Sequence, residues 1–444
     1  MGKAWVLLPS VFNVPPRTSK PPRIAVLADS DTRWKWGALT ARRIAPEDTD
    51  VRLDGHLLRG RATPTPRQLQ EVGVPADSLR EVTTAEFLDA MARQPYDVVV
   101  LALVGGGVQA ALHGLKRVWE DRERRPVVVT GYVGVVYEKL ADGLLLRHGA
   151  DLVLANSRQD AERFSAVYEG VGADASAVTE VALPFLGGEP YPGEHDPYTV
   201  VFAAQPSVPE NRRDRTYLLE RLVRHARLHP EREVLLKLRS RPGEHTTHIE
   251  ELPYQKLAGK LSAPDNFQLV YGHMGEVLDR ADLLVTVSST AALESLHRRI
   301  PTAVLTDLGV REALGNHHFV GSGCLASWDQ LDAGHRPEPD EEWVARQGVA
   351  TDGAFDAARE RIAGLLARPL PPLTPYYTPA TAPGYLPAVL ARHHLAPDGS
   401  PLPGAPATGR APGPVRQIVR RAARGAYRHG VQRVAPVIRR MGEL

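Results

Sequence analysis

A single cysteine, Cys324, occurs in the 444 residues, which excludes a disulfide within the chain and suits a reducing compartment. No window approaches 18 uninterrupted apolar residues, so no membrane-spanning helix is expected. The opening, MGKAWVLLPSVFNVPP, offers one lysine and a short apolar run that meets Asn13 and two prolines. It reads as a leader over residues 1–22, without the longer apolar region and small-residue cleavage site of a secretory signal. The expected location is therefore cytoplasmic. No repeat of solenoid period is present. No Gly-x-Gly-x-x-Gly follows the first apolar run, where residues 28–37 read ADSDTRWKWG, and this argues against a nicotinamide oxidoreductase. LVGGGVQ (103–109) is rich in glycine but also lacks that fingerprint. The neighbouring His317 and His318 do not readily share one ion and are read as core or surface histidines. Apart from Asp29-Ser30-Asp31, no Asp-x-Asp sits at a strand end, so no metal and no resident cofactor is expected.

What is present is a globular composition, 43% hydrophobic and 24% charged, long enough for two domains. Short apolar, β-branched runs at 23–28, 51–54, 96–104, 126–130, 151–155 and 178–183 alternate with helical patterns at 34–45, 84–93, 108–120, 136–148 and 157–168. Thr84 and Ser157 are the expected N-caps of two of these helices. A Pro/Gly-rich hinge over 184–197 interrupts the pattern. Alternation resumes with runs at 198–205, 233–240, 266–272, 282–287 and 302–305 and helices at 213–229, 252–261 and 353–366. Continuous apolar strands separated by helices predict parallel sheets covered on both faces. The expected fold class is α/β, with two Rossmann-like doubly wound domains (23–183 and 198–369) facing across a cleft. A Pro/Gly/Ala-rich linker over 370–414, expected to be extended or disordered, would follow, and then a basic tail over 415–444. Charge is concentrated in that tail. It holds eight arginines against one acid, Glu443, a charge of +7 in a chain whose net charge is +2, which leaves the rest at −5. Apolar residues at spacings of mostly three or four between Val415 and Met441 make it a basic amphipathic segment suited to an anionic membrane surface. No nucleic-acid partner is expected.

Two segments of the second domain carry chemistry. In DLLVTVSSTAALESLHRRIPTAVL (282–305) a buried strand empties into Ser288, Ser289 and Thr290 at a helix start, with Glu294 one turn on. Ligands of open parallel sheets bind beyond the strand C-termini, and a helix start offers unpaired N–H groups. The hydroxyls suit phosphate, and the carboxylate suits a ribose diol. The bland alternative is an N-cap and a solvated acid. In EVLLKLRSRPGEHTTH (233–248) a second strand runs out into Lys237, Arg239 and Arg241, whose spacing of two puts them on one face of an extended chain. Three such cations would neutralise a diphosphate, unless they are merely solvated or paired with Glu244 or Glu251. In the first domain Asp31, or failing that Asp29, faces the cleft as the candidate general base, with Glu138 as the next candidate. Here the alternative is helix capping by Asp31 with Trp34 and Trp36 simply packing. Gly131, Tyr132 and Gly134 (in TGYVGVVYEK, 130–139) are the candidate acceptor-binding residues.

Two such domains, a hinge, a basic strand end and then SSTAALESLHRRIPTAVL resemble the GT-B glycosyltransferases, in particular the bacterial capsular-polysaccharide and teichoic-acid polymer transferases. The likeness is good over about residues 198–325 and architectural over 23–183. It implies a metal-independent transfer of a sugar, or a polyol phosphate, from a nucleotide donor in the second domain to a cell-surface glycan or lipid-linked acceptor. By that resemblance Ser288, Ser289 and Thr290 hold phosphate, Glu294 holds ribose, and Lys237, Arg239 and Arg241 flank the leaving group. One departure is Arg241-Pro242, where the capsule enzymes often have His-Pro; arginine can stabilise charge there but cannot serve as an acid. The sugar-nucleotide 2-epimerases share the architecture, yet TAALESL and TDLGVREAL do not supply their acid-rich stretch or their arginine-threonine-glutamate motif. A non-enzymatic two-domain nucleotide-binding protein is the remaining alternative, though such proteins are usually exported.

Overall fold

The structure, a computed structural model, describes residues 21–46, 49–60, 62–135, 139–241, 244, 252–350 and 352–403. Glu138, the tail over 415–444 and all but the end of the 1–22 leader lie outside the described residues.

The first domain runs β1 (Arg23–Ala28), α1 (Asp31–Arg43), β2 (Arg52–Leu58), α2 (Pro66–Val72), β3 (Ser78–Val82), α3 (Thr84–Arg93) and β4 (Val98–Ala102). It continues with α4 (Gly105–Val118), β5 (Val127–Gly131), α5 (Leu140–Leu145), β6 (Leu152–Ala155), α6 (Arg158–Gly170) and β7 (Val178–Glu180). Its seven strands are all parallel, in the order β3-β2-β1-β4-β5-β6-β7. Central strands such as VVVLA of β4 are buried at every position, as strands covered on both faces must be. The cap of α3 is Thr83, one residue before the expected Thr84. Thr83 Oγ1 accepts from the Glu86 amide at 3.2 Å while the Glu86 carboxylate accepts from the Thr83 amide at 2.6 Å. Only Thr83 stands three residues before an acid that can close this box. Ser157 caps α6 as expected.

No helix or strand occurs between Glu180 and Thr199, which includes the expected hinge. The segment is moored by the buried Asp282, which accepts from the Tyr191 hydroxyl at 2.9 Å and the Thr199 amide at 2.6 Å. The second domain runs β8 (Thr199–Ala203), α7 (Arg212–Leu228), β9 (Glu233–Lys237), α8 (Tyr254–Ala258), β10 (Phe267–Val270) and α9 (Met274–Leu278). Then come β11 (Leu283–Thr286), α10 (Ala291–His297), β12 (Thr302–Leu305), β13 (Leu325–Ala326), α11 (Trp328–Asp332) and α12 (Glu341–Arg346). Its six parallel strands are ordered β10-β9-β8-β11-β12-β13. Both sheets therefore reverse direction beside their first strand, between β1 and β4 and between β8 and β11, and such switch points open crevices at the strand C-termini.

After α12 the chain returns to the first domain. Gln347 Nε2 donates to Gln159 Oε1, and α13 (Asp356–Leu366) packs on β5 and β7, with Arg361 donating to the Val178 carbonyl at 2.9 Å. The second domain expected over 198–369 thus gives its last helix to the first.

The linker expected from Leu370 is also different over its described part. Residues 370–403 form a strap that carries α14 (Leu386–Arg392) against α4 and buries Leu373, Leu386, Leu390 and Leu395 in the first domain's core. Arg125 holds the Pro371 carbonyl at 2.8 Å, and Gln109 and His113 both reach the Tyr377 carbonyl. Gly149, at φ +99, lies so close to Thr374 and Pro375 that a Cβ would stand 2.6 Å from the Pro375 nitrogen. The glycine-rich start of α4 is covered by this strap: a Cβ on Gly106 would be 3.7 Å from Val389, and one on Gly107 would be 3.6 Å from His393. A close approach is made by Gly105, where a Cβ would stand 2.8 Å from Leu146.

The core lies on the faces of the two sheets. One cluster joins the β1–β4–β5 face of the first sheet to Ala292, Leu293 and Leu296 of α10, so the helix bearing Glu294 is wedged against the first domain.

Candidate functional site

The strand C-termini of the two sheets face each other, and Asp31 of the first domain meets Arg239 of the second there. β11 runs out into Ser288. Its hydroxyl donates to the Leu314 carbonyl at 2.6 Å, and its amide donates to Gln205 at 3.0 Å, so Ser288 fixes the turn. Ser289 Oγ accepts from the Ala291 amide at 3.2 Å at the head of α10. Thr290 has no hydroxyl partner among the described residues, and its methyl would stand 3.8 Å from a Cβ on Gly134 of the first domain. Of the three hydroxyls, Thr290 alone stands in the gap between the domains uncommitted.

Glu294 follows one turn later, only 9% exposed. Its carboxylate makes no hydrogen bond or ion pair to any described residue, and burial pushes its pKa up against the opposing pull of Lys35, Arg298 and Lys237. A buried acid among cations, with no partner of its own, is an unusual arrangement for a purely structural residue. Lys237, at the end of β9, is 5% exposed. It donates to the Leu238 carbonyl at 2.9 Å, and burial lowers its pKa from 10.5 to about 8, with Glu71 and Glu294 opposing the fall. Arg298 is fixed below by the Gly187 carbonyl at 2.8 Å, the Gly275 carbonyl at 3.1 Å and an ion pair with Asp279. His273, between β10 and α9, accepts from the Gly275 amide at 3.2 Å, and burial together with Lys35, Lys237 and Arg298 lowers its pKa.

The expectation that Lys237, Arg239 and Arg241 share one face is not met. Lys237 turns inward, Arg239 crosses to the first domain, and Arg241 is exposed with its guanidinium 5.4 Å from the Tyr271 ring centre. The strand ends at Lys237, and beyond it the alternation of an extended chain no longer applies.

On the first-domain side, Asp31 Oδ1 accepts from Arg239 at 2.8 Å, and Thr32 also contacts that guanidinium. Ser30, and not Asp31, caps α1. Asp29 is tied down by the Val104 amide at 3.0 Å and Arg33 at 2.9 Å, which fixes the loop after β1 to the one after β4. Trp34 and Trp36 are fully buried and do pack. Gly131 is explained by packing: a Cβ there would stand 2.9 Å from both Trp36 and the Leu154 carbonyl. Tyr132 turns into its own domain, with Arg147 stacked 3.9 Å from its ring centre. Of the acceptor-binding candidates, Gly134 is the one that faces the second domain.

Arg298 and His273 escaped the reading of the sequence, and so did three residues of the first domain. Lys35 lies four residues after Asp31, hence on the same face of α1, and interacts with Glu294, Lys237 and His273. The i,i+4 spacing was legible. Arg67 and Glu71 of α2 pair at 2.6 Å, and Glu71 accepts from the Gly272 amide of the second domain at 2.8 Å. Their helix carried a readable start, Thr65 and Gln68 closing a capping box around Pro66.

Among the described residues one group has metal-ligand spacing: His225, His229 and Asp332. It sits at the C-terminal end of α7 and on α11, not at the strand ends, and Asp332 is already bonded to His225 at 2.8 Å and to Arg221 at 3.0 Å.

Residues 24–365 match the model of a family described as "Putative glycosyltransferase (DUF6716)". No curated protein matches the chain. Among solved structures, a "putative UDP-N-acetylglucosamine 2-epimerase" from Listeria monocytogenes is similar at 10% identity and TM-score 0.49, covering 78% of this chain and 95% of its own. The UDP-GlcNAc 2-epimerase of Neisseria meningitidis, bound to UDP-GlcNAc, gives 10% identity, TM-score 0.46 and coverages of 78% and 99%. The glycotransferase of kitacinnamycin gives 15% identity, TM-score 0.42 and coverages of 79% and 95%.

Proposed function

The chain belongs to that glycosyltransferase family, and we propose that it moves a sugar, or a polyol phosphate, from a nucleoside diphosphate donor to an acceptor hydroxyl. The donor lies on the strand ends of the second domain and the acceptor on those of the first. The observation that carries the reading is Glu294, buried and without a hydrogen bond among the described residues, with Lys35, Lys237 and Arg298 around it. A nucleotide supplies both complements at once: a ribose diol donates to the carboxylate, and the phosphates take the cations. Thr290 adds a hydroxyl at the same place. The leaving group's charge is then met by side chains, so the transfer needs neither metal nor resident cofactor. Asp31 takes the acceptor's proton.

The acceptor is a cell-envelope glycan or its lipid-linked form. The basic segment 415–441 brings the cytoplasmic enzyme to the anionic inner face of the membrane. No helix among the described residues is long and apolar enough to cross a membrane.

The test is a panel of UDP-, GDP- and CDP-sugars with and without EDTA, followed by release of free nucleotide and by thermal shift. A bound donor at 100 times its Kd should stabilise the fold by about 2.7 kcal/mol. Release that persists in EDTA supports the reading. Inversion at C2 of the intact donor would identify an epimerase instead.

A further inference from the structure

Arg239, which the sequence places with Lys237 beside the leaving group, is already engaged by the protein itself. Arg239 donates to Asp31 Oδ1 at 2.8 Å and is also bound by Thr32. The Gly272 amide, at the end of β10, donates to Glu71 Oε1 at 2.8 Å. Glu71 is also the strongest favourable charge on Lys237, ahead of Glu294. Arg67 grips Glu71 at 2.6 Å and forms an ion pair with Glu244 of the second domain, so it fixes the acid in place. Two carboxylates from the first domain therefore meet an arginine and a backbone amide of the second, and the charge of Glu71 also acts on Lys237. A cation, a second cation and an N–H donor at a strand end are also the groups with which a diphosphate would be held.

We propose that Asp31 and Glu71 are place-holders for the phosphate groups of the donor. The inference rests on the reading of the second domain as the nucleotide site. In the unliganded protein the two acids neutralise the cation site and keep the domains together. An entering diphosphate competes for Arg239, Lys237 and the Gly272 amide and displaces both carboxylates. The displacement has a catalytic consequence. While Asp31 Oδ1 is held by Arg239, the carboxylate is directed at the guanidinium of the second domain and not at an acceptor. Once phosphate takes Arg239, Asp31 is free to face the acceptor hydroxyl. The base is thus disarmed until the donor is in place, which orders binding as donor first and acceptor second.

An intramolecular competitor lowers the apparent affinity by the fraction of molecules in which the site is free. Removing one carboxylate's charge should therefore tighten binding of an anion. The experiment uses inorganic pyrophosphate on the full chain, by calorimetry or phosphorus NMR, with Asp31→Asn, Glu71→Gln and Arg239→Gln. Melting curves establish that each variant is folded. The expected result is roughly 3–10-fold tighter pyrophosphate binding in Asp31→Asn and in Glu71→Gln, and weaker binding in Arg239→Gln. Equal or weaker binding in both acid variants, or no pyrophosphate binding in any protein, overturns the proposal. Pyrophosphate binding that behaves as expected, in a protein that accepts no nucleotide sugar, would instead overturn the functional reading and leave the place-holders standing.

Discussion

Glu294 can be separated from a residue kept for stability. Its carboxylate is buried without a hydrogen bond to any described residue, and such burial opposes folding. Glu294→Gln should therefore hold or raise the melting temperature, while Glu294→Ala weakens nucleotide binding by roughly 1–3 kcal/mol in calorimetry. Lys237 makes a prediction in pH. Its folded pKa of about 8 lies below its ordinary 10.5. Between those values the unfolded chain binds more protons than the folded one, so this residue makes stability rise with pH across that window. Phosphate binding needs the protonated form, so nucleotide affinity should fall as pH rises through about 8, and Lys237→Met should flatten that limb of the titration. Asp31→Asn should reduce turnover by roughly 10²–10⁴ when release of nucleotide is followed in the presence of acceptor. At this scale the sequence was partly legible. The strand-end placement of Glu294 and Lys237 follows from their spacing to apolar runs. That Ser288 is held by Gln205 and Leu314, or that Gly131 yields to Trp36, depends on contacts between residues far apart in the chain.

Elements with regular patterns were read well, because burial on both faces leaves a strong signal. The expected β1 (23–28), α3 (84–93) and β12 (302–305) match their observed limits. β3, with four of five residues exposed, had no such signal, and α2 was hidden among prolines that mark its start. The strap was misread for a related reason. Its proline and glycine content suggested an unfolded segment, but Leu373, Leu386, Leu390 and Leu395 are irregularly spaced anchors and present no periodicity. Because these leucines are buried in the first domain, Leu390→Ala should cost roughly 2–5 kcal/mol in urea unfolding. A cost near zero would return the segment to the status of a linker.

For the whole molecule, the strap changes how the basic tail must be tested. Cutting at Pro369 would strip the first domain of buried leucines, whereas a chain ending at Pro403 keeps them. The full chain should sediment with anionic vesicles at low salt and not with neutral ones, and the chain ending at Pro403 should stay in solution. Equal sedimentation of both chains, or tight binding to DNA in place of vesicles, would remove the membrane from the proposed function. The two-domain layout was legible from alternation alone. The return of α13 was not, because a helix pattern says which face is apolar and not which sheet it will cover.

That return has a kinematic consequence. Two bodies joined by one tether can swivel, tilt and drift apart. Among the described residues the backbone passes between the domains twice, once through residues 184–197 and again near Gln347, which bonds to Gln159 across the boundary. A pair of tethers leaves essentially one free motion, rotation about the line through both crossings. The wedge helix α10 lies beside that line, since Arg298 just past its end binds the Gly187 carbonyl at one crossing, and His297 Nδ1 lies 2.6 Å from the Val349 carbonyl at the other. Points near an axle barely travel while distant ones sweep an arc. Glu294 sits on this axle helix, and the Arg67–Glu244 ion pair is a contact that an opening swing would have to break.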